Sequence, residues 1–238
     1  MRVLAALAIV VVMALMGEIK PVSAAEQIPV TAIDVLIVPD AAMVVHAQAS
    51  NARLLKAYPA GFKLDEAHQP HITLIQRFVR TDQLDNVYAA VGRVLARTEV
   101  SALKLEAIRN YYTPGGETGV AGILVKNTPE LQKLQQDMIA AVSPFTVETG
   151  PVGAFTAPHD NPADDRMLIA YVASFAPKQT GANFSPHVST GVAPTGYLND
   201  MMAEDFEPFT FWPAGVAIYQ LGPFGTAARK LKGWDLTR

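Results

Sequence analysis

One short pattern occurs twice in this chain of 238 residues, 116 positions apart: Pro70-His71-Ile72-Thr73-Leu74 and Pro186-His187-Val188-Ser189-Thr190. Each copy reads proline, histidine, a β-branched apolar residue, then a hydroxyl residue. β-Branched residues suit a pleated strand, where successive side chains alternate between faces. His71 and Thr73 then share one face, with Ile72 and Leu74 on the other. His187 and Ser189 likewise share a face, with Val188 behind them. Each proline stands at the first position of its strand, where the missing N–H is tolerated. A fold that brings these strands together turns two imidazoles and two hydroxyls toward one cleft.

Such a set of groups suits phosphodiester chemistry. One group must take a proton from the attacking oxygen and another must give one to the leaving oxygen. Histidine titrates near neutrality, so one imidazole can start neutral and the other charged. The hydroxyls of Thr73 and Ser189 are placed to donate to non-bridging oxygens, where negative charge must be held. Neither task requires a metal ion or other cofactor. The chain has no Gly-x-Ser-x-Gly elbow, P-loop or dinucleotide fingerprint.

The N-terminus carries a different signal. Arg2 precedes an unbroken apolar stretch from Val3 to Met16, and Val22-Ser23-Ala24 offers small residues for cleavage. This is the pattern of a secretory signal peptide, and the stretch is short for a membrane span. Export to the periplasm or medium is expected, with no lasting membrane anchor; an uncleaved N-terminal anchor is the other reading. Without residues 1–24 the chain keeps 17 basic and 21 acidic residues, a net charge of −4. That balance argues against gripping long nucleic acid, which needs a basic surface. A small nucleotide or short RNA-derived phosphodiester is the expected partner, bound by a monomer. The absence of cysteine rules out disulfides and acylation at an N-terminal cysteine.

The remaining pattern predicts an α+β fold with mostly antiparallel sheets flanked by helices. Strands are expected at 33–38, 70–79, 100–111, 120–126, 186–192, 214–221 and 229–236. Helices are expected at 41–58, 81–97 with Thr81 as N-cap, from Thr128-Pro129 onward, at about 163–175, and at 198–206. In the third helix Leu131, Leu134 and Met138 have the spacing of a buried face. The Pro-, Gly- and Thr-rich stretch 143–162 reads as a connection between a first lobe of about 30–145 and a second of about 163–238, within one bilobal domain over 25–238.

With these elements in place, the paired strands resemble the two-histidine (2H) phosphoesterase superfamily, which includes 2′-5′ RNA ligase-like proteins and cyclic nucleotide phosphodiesterases. Its signature is two His-x-Thr/Ser-hydrophobic motifs, one in each lobe of a pseudo-symmetric α+β fold. His71-Ile72-Thr73-Leu74 matches all four positions. His187-Val188-Ser189-Thr190 departs at the last, where Thr190 replaces an apolar residue. The resemblance implies metal-independent cleavage of a 2′,3′-cyclic phosphate or a 2′,5′-linked nucleotide, with His71, Thr73, His187 and Ser189 as catalytic residues.

Other residues stand around this set. Arg77 has the strand parity of His71 and Thr73 and is a candidate phosphate ligand. Tyr111 and Tyr219 are candidates to stack on a base. His159, in Pro158-His159-Asp160-Asn161-Pro162, reads as a solvated loop residue, and His68 lacks the partners of a metal site. A non-catalytic phosphate-ligand binder, or an enzyme for a non-nucleotide envelope phosphodiester, stays open as an alternative.

Overall fold

A computed structural model describes residues 28–236; the segment read as a signal peptide lies outside the described residues. The elements in chain order are β1 (Val30–Pro39), α1 (Ala41–Ala57), β2 (Ile72–Arg80), α2 (Leu84–Leu95), β3 (Leu105–Gly115), β4 (Thr118–Val125) and α3 (Pro129–Val142). There follow β5 (Thr146–Val147), α4 (Pro162–Gln179), β6 (His187–Pro194), α5 (Thr195–Met202), β7 (Phe209–Phe211), β8 (Pro213–Leu221) and β9 (Ala227–Asp235). They form two antiparallel sheets. Sheet 1 has the order β5-β2-β1-β8-β9 and sheet 2 the order β6-β4-β3-β7.

The core forms where one face of each sheet meets the helices. From sheet 1 come Ile33, Val35, Ile72 and Ile75; from sheet 2 come Ala107, Ile123 and Val188. The helices add Val87, Val91 and Val94 of α2, with Leu131, Leu134 and Met138 of α3. The α3 spacing therefore buries the face it predicts. Its start also follows the sequence: Pro129 opens the helix and the Thr128 side chain accepts from the Leu131 N–H at 3.3 Å.

Several boundaries differ from expectation: β3 begins at Leu105 and not at 100, where Val100–Ala102 forms a 3₁₀ turn, and α5 spans Thr195–Met202 and not 198–206. Thr81 is not an α-helical N-cap, because a 3₁₀ turn at Thr81–Gln83 precedes α2 and the Thr81 hydroxyl pairs with that of Thr31 at 2.9 Å. The 143–162 connection contributes β5, which pairs with β2 at Phe78 and Val79. α4 extends past residue 175 to Gln179, opened by Pro162 with the Asn161 side chain accepting from the Ala163 N–H.

The sheets also depart from the division into 30–145 and 163–238. β1 is central, so both its edges need hydrogen-bonding partners. One comes from β2, close in sequence, and the other from β8 near the C-terminus. Sheet 2 likewise joins β4 to β6. Each sheet thus takes strands from both halves of the chain. Among the described residues no helix is long and apolar enough to cross a membrane.

Candidate active site

The two Pro-His segments fold alike in atomic detail. His71 Nδ1 donates to the Gln69 carbonyl at 2.6 Å, and His187 Nδ1 donates to the Ser185 carbonyl at 2.7 Å. Each partner lies two residues upstream, across a proline that biases the preceding residue toward extended backbone. A carbonyl can only accept, so both imidazoles carry a proton on Nδ1 and offer Nε2 for chemistry. The strands β2 and β6 approach each other across the junction of the sheets.

Both motifs carry a β-bulge at the fourth position. Thr73 pairs with Leu36 and Ile75 with Val35, so Leu74 is an extra residue in β2. Ser189 pairs with Gly122 and Gly191 with Ala121, so Thr190 is extra in β6. A bulged residue leaves backbone groups without ladder partners. Here a carboxamide supplies one to each: Gln135 Nε2 of α3 donates to the Leu74 carbonyl at 3.1 Å, and Asn51 Nδ2 of α1 to the Thr190 carbonyl at 2.8 Å. The Thr190 departure is accommodated at the same place, because its buried hydroxyl accepts from Ser50 Oγ at 3.0 Å.

Asp34 of β1 connects these elements to His71. Its side chain is fully buried, and its Oδ2 lies 3.6 Å from His71 Nε2. The same oxygen accepts from Thr73 Oγ1 at 2.7 Å and Gln76 Nε2 at 3.0 Å. Burial opposes charge on His71, but the Asp34 carboxylate outweighs it, helped by the Gln69 carbonyl, and the His71 pKa rises above its ordinary value. Burial pushes His187 the other way. The Ser185 carbonyl resists this and the charge of His71 adds to it, leaving the His187 pKa below its ordinary value. The two imidazoles are therefore driven apart, one toward the protonated form and one toward the neutral form.

The sequence-derived site residues fare unequally. His71 and Thr73 share a face of sheet 1, as their parity requires, but the Thr73 hydroxyl proton is committed to Asp34 and not to the cleft. Ser189 is half-buried on the His187 face of β6, and its hydroxyl has no side-chain or backbone partner among the described residues. Tyr111 comes to His187, with ring centroids 4.9 Å apart, and its hydroxyl pairs with Thr113 at 2.9 Å. Tyr219 pairs with Asp34 across the ladder, so it shares the face of His71. It is only 8% exposed, within a small apolar cluster of Leu36, Ala217 and Ala227. Arg77 points away: the Leu74 bulge reverses strand parity, and Arg77 pairs with Ile33 on the core face.

Other groups complete the surroundings. Arg109 of β3 pairs with Leu124, which pairs with His187, so an exposed guanidinium shares the His187 face. Tyr171 of α4 lies edge-on to Phe175, and its phenol pKa is pushed up to about 12 by burial, with the charges of Asp34 and Tyr111 adding to the effect. Asp34 is legible in the sequence as a charged residue inside an apolar strand; Arg109 and Tyr171 carry no sequence signal. His159 is not solvated, with its side chain 4% exposed and paired to Asp165. Among the described residues no group of three or more His, Cys, Asp or Glu side chains converges as a metal site does.

A family profile described as the 2'-5' RNA ligase superfamily matches residues 45–222. No curated protein sequence matches the chain significantly. Among solved structures the chain is similar to TT0787 of Thermus thermophilus, with 18% identity, a TM-score of 0.48, and coverage of 87% of this chain and 98% of that one. It is also similar to Escherichia coli LigT complexed with 3'-AMP, at 11% identity and a TM-score of 0.42, covering 88% of this chain and 100% of that one. Usb1 of Kluyveromyces marxianus gives 10% identity and a TM-score of 0.40, over 85% of this chain and 96% of that one. The profile leaves out β1 but spans both Pro-His motifs and every helix from within α1 onward: the chain belongs to the 2'-5' RNA ligase superfamily.

Proposed function

We propose that this chain is a metal-independent phosphodiesterase acting on a 2′,3′-cyclic phosphate or a 2′,5′-linked nucleotide. Family membership supports an enzyme of phosphodiester bonds. The observation that carries the finer reading is the opposed perturbation of two imidazoles with matching tautomers. In this reading His187, held neutral, is the general base that takes a proton from water through Nε2. His71, held protonated by Asp34, is the general acid that gives its Nε2 proton to the departing sugar oxygen. For a cyclic phosphate, the new bond joins the water oxygen to phosphorus while the bond to one ribose oxygen breaks. Ser189 and Arg109 then serve the non-bridging oxygens, and Thr73 orients Asp34.

Steady-state kinetics on a cyclic phosphodiester tests this. His71→Ala and His187→Ala are each expected to lose about 10²–10⁴ in rate, the range for one general acid–base step. The double variant should lose less than the product, because groups acting as a unit are not additive. Activity should survive EDTA. Near-wild-type turnover in either single variant overturns the assignment, as does chelation loss restored by zinc or manganese. We also propose export: the mature chain is expected to begin at Ala25 or Glu26, and N-terminal sequencing of exported protein checks this.

A further inference from the structure

The residue five places after each motif histidine distinguishes two segments that otherwise fold alike. In β2 the Leu74 bulge brings Gln76 to the cleft face, opposite Asp34 of β1. In β6 the Thr190 bulge brings Val192 to the matching place, opposite Val120 of β4. The His71 segment thus has a buried polar pair where the His187 segment has two valines. Gln76 is only 5% exposed. Its Nε2 donates to Asp34 Oδ2 at 3.0 Å and to the Gly225 carbonyl at 3.3 Å. A carboxamide nitrogen carries two hydrogens, so both are spent. Its Oε1 has no partner among the described residues. An unpaired buried acceptor costs free energy that an apolar side chain of the same length would not, so packing alone does not account for a glutamine here.

The second acceptor is fixed by its turn. Gly225 has φ 73°, a conformation that favours glycine, and its N–H donates to the Gly222 carbonyl at 3.2 Å. The neighbouring Phe224 N–H donates to His159 Nε2 at 2.8 Å, and His159 Nδ1 pairs with Asp165 of α4 at 2.7 Å. With one amide hydrogen held by this turn, the other is directed at Asp34 Oδ2. The torsion of the carboxylate is broad and two-fold, so it selects neither oxygen by itself. Gln76 and Thr73 together keep Oδ2, the oxygen 3.6 Å from His71 Nε2, in place. The titratable groups facing the pair are His187 of β6, which meets the charge of His71, and the phenols of Tyr171 and Tyr219, which burial keeps neutral where histidines titrate.

We propose that Gln76 is the positioning residue of the Asp34–His71 pair, and that the exchange of Gln76 and Asp34 for Val192 and Val120 is what makes two matching motifs unequal. The naming of His71 as the acid rests on the phosphodiesterase reading; the control of its charge by Gln76 is measurable without turnover. A hydrogen bond to the charged form of a carboxyl group favours that form. With Gln76 in place the pair is an imidazolium beside a carboxylate. Without that donor the buried carboxylate is less stable, and His71 gives up its proton at lower pH.

Proton NMR titration of the imidazoles in the full chain, assigned through His71→Ala and His187→Ala, tests the proposal. Gln76→Met keeps the length of the side chain and removes the donor. It should lower the His71 midpoint by about one pH unit, the scale of one hydrogen bond to a charged group, and move that of His187 much less. Gln76→Leu should repeat the fall. Gln76→Glu sets two carboxyls side by side, and such a pair shares a proton. A donor then stays on Asp34 Oδ2, and the His71 midpoint should hold at or above the wild-type value. An unchanged His71 midpoint in Gln76→Met, equal falls in Gln76→Met and Gln76→Glu, or an equal shift of His187 overturns the proposal. The kcat/KM profile of a cyclic phosphodiester, measured on the same variants, reports on the phosphodiesterase reading separately. Its alkaline limb should follow the His71 midpoint; absence of turnover in the wild type sinks that reading, while the midpoints still decide the role of Gln76.

Discussion

Asp34 carries a fully buried carboxyl group in a strand whose other buried positions, Thr31 apart, are apolar. A buried carboxylate is costly unless it is paired and hydrogen-bonded. Thr73, Gln76 and His71 all compensate one oxygen, while Oδ1 has no partner among the described residues. Asp34→Asn should therefore act through His71. The carboxylate raises the His71 pKa, so its removal should shift the alkaline limb of the kcat/KM profile toward acid, with the acid limb set by His187 moving much less. The sign for stability follows by linkage. A raised histidine pKa contributes stability that is present in full below the unfolded value of about 6.5 and is lost as pH rises through the folded value. Denaturant titrations across that window should show a smaller pH slope in Asp34→Asn; an unchanged slope and profile would refute the coupling. The histidines and hydroxyls are readable from the repeated motif. Asp34 is visible there only as an oddity, since its partners are brought to it by β1–β2 pairing. The environment of His159 is not legible, because a polar loop gives no sign that α4 and the β8–β9 turn close over it.

The β-bulges act at the scale of the element. Each inserts one residue after the hydroxyl of its motif and thereby turns the rest of the strand over. Parity from His71 places Arg77 in the cleft, whereas the Leu74 bulge sends it to the core face, and a separate bulge in β3 between Ala107 and Arg109 puts Arg109 on the face of His187. Arg109→Ala is accordingly expected to raise KM by roughly tenfold, the order for one partly exposed charge-assisted contact. Arg77→Ala should leave KM within about twofold of wild type, since a side chain on the core face meets no phosphate, and steady-state kinetics separates them. Gln135 and Asn51 satisfy the bulged carbonyls from two different helices. Gln135→Ala or Asn51→Ala leaves a buried carbonyl unbonded, which costs about 1–3 kcal/mol. Urea unfolding should show that loss, and a change under about 0.5 kcal/mol would mean water replaces the amide. Element existence is largely legible in the sequence because period and proline placement are local properties. A bulge is not, since it depends on which strand lies alongside.

At the scale of the molecule the sheets interleave. β1 pairs with β8 from the far end of the chain, with β9 beyond it, while β4 pairs with β6. Halves cut within the 143–162 connection would each carry strands that lack partners. Fragments 28–150 and 151–236, expressed apart, are expected to be unfolded by circular dichroism and to regain structure on mixing; stable folding of either alone would contradict this arrangement. Intact protein should unfold in one transition, since the sheets share a core. What the sequence by itself determined is what alternation and local chemistry enforce. Strand periodicity set which side of each Pro-His segment carries imidazole and hydroxyl, helix periodicity set the buried face of α3, and the repeated motif set the chemistry available. Tertiary structure alone decided that His71 is the imidazole beside a buried carboxylate and His187 the one without. The two motifs are near-identical as sequences, and a pKa answers to burial and neighbouring charge, which only the pairing of distant strands supplies.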